Sequence, residues 1–176
     1  MAKKGEIKGM DKLLKELKSL GKDGIKAIAK TTHLNANEIA LKAKTALQPY
    51  IDRGQLIGSV KVEPVNDLTD SIGSDLPYAG FIEFGTGVKT EIPTEMNEVA
   101  ARFRGKGGGS FKEGLQMIKE WCRRKGIDEN AAYPIFVNLL TNGQTAKPFL
   151  YPAYKKQIPI YIKDLKEDLK RLTSKI

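Results

Sequence analysis

Few side chains in this sequence could do covalent or metal chemistry. His33 is the only histidine and Cys122 the only cysteine in 176 residues. A triad needs an imidazole, a nucleophile and an orienting group. A zinc site needs several nitrogen or sulfur ligands. One histidine supplies neither unless a partner completes the set. Cys122 cannot form an internal disulfide, which fits synthesis in a reducing cytoplasm. Asp67, Asp70 and Asp75 give the spacing D-x-x-D-x-x-x-x-D, which matches no calcium loop; they read as solvated turn acids. RGKGGGS at 104–110 has the glycines of a phosphate cradle. It lacks the Walker order and no strand leads into it, so it reads as a linker. No catalytic residue, metal or cofactor is expected, and carboxylate or lysine catalysis is the least supported class.

Two aromatic-rich corners are more specific. Residues 78–87, YAGFIEFGTG, place Tyr78, Phe81, Ile82 and Gly85 on one helical face. Pro77 suits the start of that turn, and Gly85 and Gly87 suit its end. Phe84 and Thr86 complete the corner. Residues 146–154, AKPFLYPAY, carry Pro148, Phe149, Leu150 and Pro152. The prolines should keep the chain extended to Leu150 or Tyr151, with Pro152 in the first turn of the last helix. Glu83 sits among the aromatics. It reads either as an exposed helix carboxylate or backbone cap, or as a subunit-interface residue pairing with a base on a neighbouring copy.

The order YAxFIEFGTG … G-x-T-A-x-P-F-L-x-P-A resembles the tail-component (tail-completion) proteins of long-tailed bacteriophages. Tyr78, Glu83, Phe84, Gly85, Thr86 and Gly87 carry the first motif. Gly143, Thr145, Ala146, Pro148, Phe149, Leu150, Pro152 and Ala153 carry the second. The resemblance covers about residues 8–172. It implies a structural virion protein of the neck or upper tail, made in the host cytoplasm. Such a protein forms a ring, commonly a homohexamer, that completes or terminates the tail and joins it to the head connector. The implied partners are copies of itself, the tail tube protein and the connector or stopper proteins, with passing contact to genomic DNA in the channel.

The formal net charge of +9 is unevenly spread. Residues 1–30 carry +5, residues 31–100 carry −5 and residues 101–125 carry +6. Such polarity can orient a protein between unlike neighbours, or simply reflect solvated helix faces. The basic clusters also supply sequence-independent affinity for phosphate. A basic nucleic-acid-binding accessory protein is therefore the alternative reading, although aromatics do not interleave with those clusters. No run approaches the roughly 20 apolar residues of a membrane helix, so no membrane partner is expected.

These features need elements to hold them. An amphipathic helix is expected at 10–20, with Met10, Leu13, Leu14 and Leu17 on one face, and a long helix at 23–47, capped by Asp23 and ended by Pro49. His33 falls beside the apolar stripe of that helix, at its surface or boundary. Residues 55–63 alternate as a strand closed by Pro64; 68–74 suit its antiparallel partner, and VKTEI at 88–92 another short strand. A short helix capped by Thr94 should span 94–103. Ser110 and Glu113 form a capping box for a helix to 125, and a second helix follows from Asp128 or Asn130 to about Leu140. Trp121 and Tyr133 are expected in the core of this pair. The last helix should run from Pro152 to Thr173, kinked at Pro159, with Ile158, Ile162, Leu165, Leu169 and Leu172 as its stripe, packing on helix 23–47 across the sheet.

The expectation is a single α+β domain over 1–176. A small antiparallel β-sheet is packed by N-terminal helices and a long C-terminal helix, with residues 104–143 inserted as a helical hairpin.

Overall fold

A computed structural model describes residues 21–87, 93–103 and 110–174. The helix expected at 10–20, the strand at 88–92 and most of the 104–110 linker lie outside the described residues. Two compact units are formed. Residues up to Asp75 join those from Phe149 onward in one, and Leu76–Pro148 make the other.

The first unit is built on α1, Gly21–Leu47. Its expected stripe is the buried one: Ile28, Ala36, Ile39, Ala40, Ala43 and Leu47 are each 6% exposed or less. Asp23, where the helix is expected to begin, lies within it. Pro49 lies in a 3₁₀ turn, Gln48–Tyr50, just past the helix end.

The chain then departs from the expected strand. Gln55–Ser59 is a helical turn, α2, and β1 begins only at Val60, running to Asn66. Leu56 and Ile57 are both half-buried. A strand would turn one of two neighbours outward, whereas neighbours on a helical turn lie about 100° apart and can both be partly covered. Pro64 does not close β1: it pairs with Asp70 of β2, Thr69–Ser74, and the register shifts between Pro64 and Asn66. Proline is tolerated there because β1 has one neighbour among the described residues and is an edge strand. The two strands are antiparallel, with Val60 opposite Ser74 and Val62 opposite Ile72.

The last helix starts two residues early. α7 here spans Leu150–Thr173, with Phe149 at its N-cap. Pro152 is its third residue, where the missing N–H has no intrahelical acceptor and the ring meets no helical carbonyl. Pro159 lies within the continuous helix. α7 packs directly on α1, which also contacts both strands. Ile28 and Leu165 form a buried cluster with Leu68, Tyr161 and Leu169 against it.

That interface corrects the expected stripe of α7. Ile162 is 38% exposed, whereas Ala153, Gln157, Leu165 and Asp168 are buried. The polar residues form a ladder with α1. Gln157 Nε2 donates to Asn35 Oδ1 at 2.7 Å, and Asn35 Nδ2 donates to Asp164 Oδ2 at 3.0 Å. Thr32 Oγ1 lies 2.9 Å from the Tyr161 hydroxyl. Lys42 donates to Gln157, while Thr31 and Arg171 both donate to Asp168. Burial pushes the Tyr161 phenol up, partly offset by the Thr32 hydrogen bond. Buried polar groups need such partners, because an unmade hydrogen bond costs more than a made one contributes.

The second unit contains the first aromatic corner and a pair of packed helices. α3 spans Ala79–Phe84. Thr94–Met96 is a 3₁₀ turn followed by α4, Asn97–Ala100, and no side chain caps either; Thr94 is inside the turn rather than before it. α5, Phe111–Lys125, has the full Ser110–Glu113 capping box and ends at Gly126. Asp128 caps a 3₁₀ turn, Glu129–Ala131, that feeds α6, Ala132–Asn142. α5 and α6 pack against one another. Cys122 and Ala132 are fully buried, and Phe136 is 8% exposed. Tyr133, at 59%, is not the core residue expected, and Trp121 is only half-buried.

Candidate functional site

The corner in the Leu76–Pro148 unit is a clamp between two segments far apart in sequence. α3 ends on Gly85, whose φ of 68° lies in the left-handed region. The chain then runs beside residues 142–147. Thr86 N and Gly87 N both donate to Gln144 O, at 3.0 and 3.3 Å. Gln144 N returns a bond to Thr86 Oγ1 at 2.7 Å, and Lys147 N donates to Ile82 O at 2.8 Å.

Glycine is needed on both sides because the backbones nearly touch. A Cβ on Gly85 would lie 2.6 Å from Gln144 O, and one on Gly87 would lie 2.6 Å from Asn142 O. A Cβ on Gly143 would lie 2.4 Å from Gly87. The glycines of both motifs therefore serve one close approach. The second motif itself is divided. Gly143–Pro148 belongs to the clamp, whereas Phe149, Leu150, Pro152 and Ala153 open α7 in the other unit.

Behind the clamp, Phe81 and Phe84 hold Phe103, with ring centroids 5.3 and 5.7 Å away. Phe84 is buried, Phe81 is half-buried, and Tyr78 at the N-cap is 39% exposed. Pro148 is exposed, Phe149 is 3% exposed, and Leu150 and Pro152 are half-buried. Glu83 is 6% exposed. It is a buried carboxylate, not the exposed helix acid that was one of its two readings.

The sequence left His33 and the aspartates as separate surface groups. In the first unit His33 Nδ1 lies 3.0 Å from Asp70 Oδ2, joining α1 to β2. The Asp70 side chain is 7% exposed against 56% for His33, so Asp70 is not a solvated turn acid. Together with Thr32, Pro64, Asn66 and Asp67, the pair lines a cleft of about 330 Å³. No local signal links residues 37 positions apart. Asp75 lies apart, 2.6 Å from Lys61, and with Glu63 it holds the Lys61 ammonium well above its usual range. No cluster of three or more His, Cys, Asp or Glu able to hold a metal ion occurs among the described residues. No helix among them is long and apolar enough to cross a membrane.

Several large apolar side chains are left exposed on the packed helix pair. On α5 and α6, Phe111, Tyr133, Val137 and Leu140 are 52%, 59%, 37% and 60% exposed. The Phe111 ring sits 6.4 Å from Tyr133 and 5.1 Å from Phe136. Exposed apolar stripes mark contact surfaces more often than catalytic ones.

Comparison with known families agrees with the resemblance over the part of the chain that leads into the first motif. Residues 11–85 match the HK97-gp10-like family model, described as "Bacteriophage HK97-gp10, putative tail-component". The match takes in α1, the β-hairpin and the first corner through Gly85. No curated protein and no solved structure matches the chain.

Proposed function

We propose that the chain is a structural, non-catalytic protein of the phage neck or upper tail. It assembles into a ring, sixfold in this reading, that completes or terminates the tail and joins it to the head connector. The observation that carries this reading is the match of residues 11–85 to a phage tail component. The first corner lies at the end of the matched segment, and residues 142–147, which clamp it, hold the start of the second motif. Its partners are copies of itself, the tail tube protein and the connector proteins, and its place is the virion. A cyclic ring needs a heterologous interface, one face meeting a different face of the next copy. The acidic middle and basic flanks of the chain provide unlike faces. Glu83 is the interface residue of this reading, although at 6% exposed it offers a neighbouring copy little surface.

The test is electron microscopy of particles assembled without the protein. Filled heads beside free tails of normal length make it a joining factor. Heads beside overlong tubes make it the terminator of tail growth. Intact, joined virions overturn the reading and favour the nucleic-acid-binding accessory role.

A further inference from the structure

α6 has no charged residue along its eleven positions. Tyr133, Val137 and Leu140 recur at i, i+4 and i+7 on its exposed side, and Phe111 of α5 widens the stripe. Ala132 and Phe136 already fill the side that packs on α5. The stripe is thus a preformed platform for one more amphipathic helix, read through anchors at helical spacing.

The chain carries a segment of that kind. Residues 10–20, MDKLLKELKSL, place Met10, Leu13, Leu14 and Leu17 at i, i+3, i+4 and i+7. The segment has eleven residues, as α6 has, so as helices both would be about 16 Å long. It lies in the twenty residues ahead of Gly21, outside the described part of the chain.

Charge chooses the orientation. Asp128 and Glu129 precede α6 at its N-terminal end, Glu129 being paired with Arg123. Lys15, Glu16 and Lys18 give the C-terminal half of the segment a net +1, and Asp11 and Lys12 cancel near its start. Antiparallel docking brings the positive half toward Asp128 and opposes the two helix dipoles. Parallel docking brings the neutral start there instead.

We infer that residues 10–20 of one copy dock antiparallel on the Phe111–Tyr133–Val137–Leu140 face of the next copy. The contact is heterologous, as ring closure requires. It rests on the self-assembly reading above and names the surfaces that carry it.

The test mixes full-length Leu17→Cys protein with full-length Tyr133→Cys protein under oxidation, both concentrated in solution and within assembled particles. Cys122 is fully buried and should not compete for the cross-link. A disulfide-linked pair of chains is expected in at least one setting, and far less of it from Leu17→Cys with Leu140→Cys. Adding Leu13→Glu to the first partner, or Val137→Glu to the second, should lower the yield about tenfold or more without altering thermal unfolding. Two results overturn the proposal: no linkage in either setting, or a yield untouched by the glutamates. Normal virions formed without the protein would remove the neck reading while leaving the cross-link standing, so the two ideas fail separately.

Discussion

Gly85 joins a helix end, a positive φ and a backbone contact at one position. Gly85→Ala adds left-handed strain and places a methyl against Gln144 O and Ala146 N, neither of which is a flexible side-chain tip. We expect a loss of more than about 1 kcal/mol, seen as a lower denaturant midpoint. An unchanged midpoint would show that the 142–147 segment gives way freely. Phe149 poses a simpler question of volume. At 3% exposed it should cost about 3–5 kcal/mol when cut to alanine. Thermal unfolding matching the parent would remove it from the core. Glycines at a turn and an aromatic between prolines were legible as specifiers in the sequence. Burial of Glu83 was not, because a helical turn of six residues does not say which side meets the rest of the unit.

Among the helices, α5 was the most legible, since its boundaries are written within a few residues of each end. Ser110 Oγ accepts from Glu113 N and the Glu113 carboxylate accepts from Ser110 N. Ser110→Ala should cost about 1 kcal/mol in chemical unfolding. The same bonds from Ser110, backbone first, hold the Glu113 carboxyl below its usual range, and Arg123 does so for Glu129. A depressed folded-state pKa contributes stability that is present above the unfolded value and lost as pH falls through the folded one. Stability should therefore drop below the ordinary glutamate range, and Glu113→Gln with Glu129→Gln should flatten that drop in a pH series of melting curves. The α1–α7 contact is the opposite case. Its apolar part follows helical periodicity, but Asn35, Gln157 and Asp168 look like solvent residues until two distant helices meet. Asp168→Ala removes the acceptor of Thr31 Oγ1 and of the solvent-exposed Arg171 and should cost about 1 kcal/mol in unfolding free energy.

For the whole molecule, the alternation of charge along the chain offers a test of the proposed assembly. If unlike faces of successive copies meet through it, raising ionic strength from about 0.1 M to 1 M shortens the screening length from about 10 to 3 Å and should weaken assembly. Light scattering that is indifferent to salt would leave the apolar stripe of α6 as the principal contact. The sequence alone determined what depends on neighbours in the chain: the α1 stripe, the capping box, the glycine stops, the antiparallel hairpin and the charge segments. It also carried two motifs in a recognisable order. Only the tertiary structure decided that Gly85, Gly87 and Gly143 share one close approach, that the second motif is split between two units, and that His33 meets Asp70. It alone put a polar ladder inside a helix pair and left Tyr133 and Leu140 exposed. Local hydrogen bonding and side-chain periodicity act over a few residues and can be read there. Burial and pairing depend on which distant surfaces meet, and periodicity marks a face without naming what covers it.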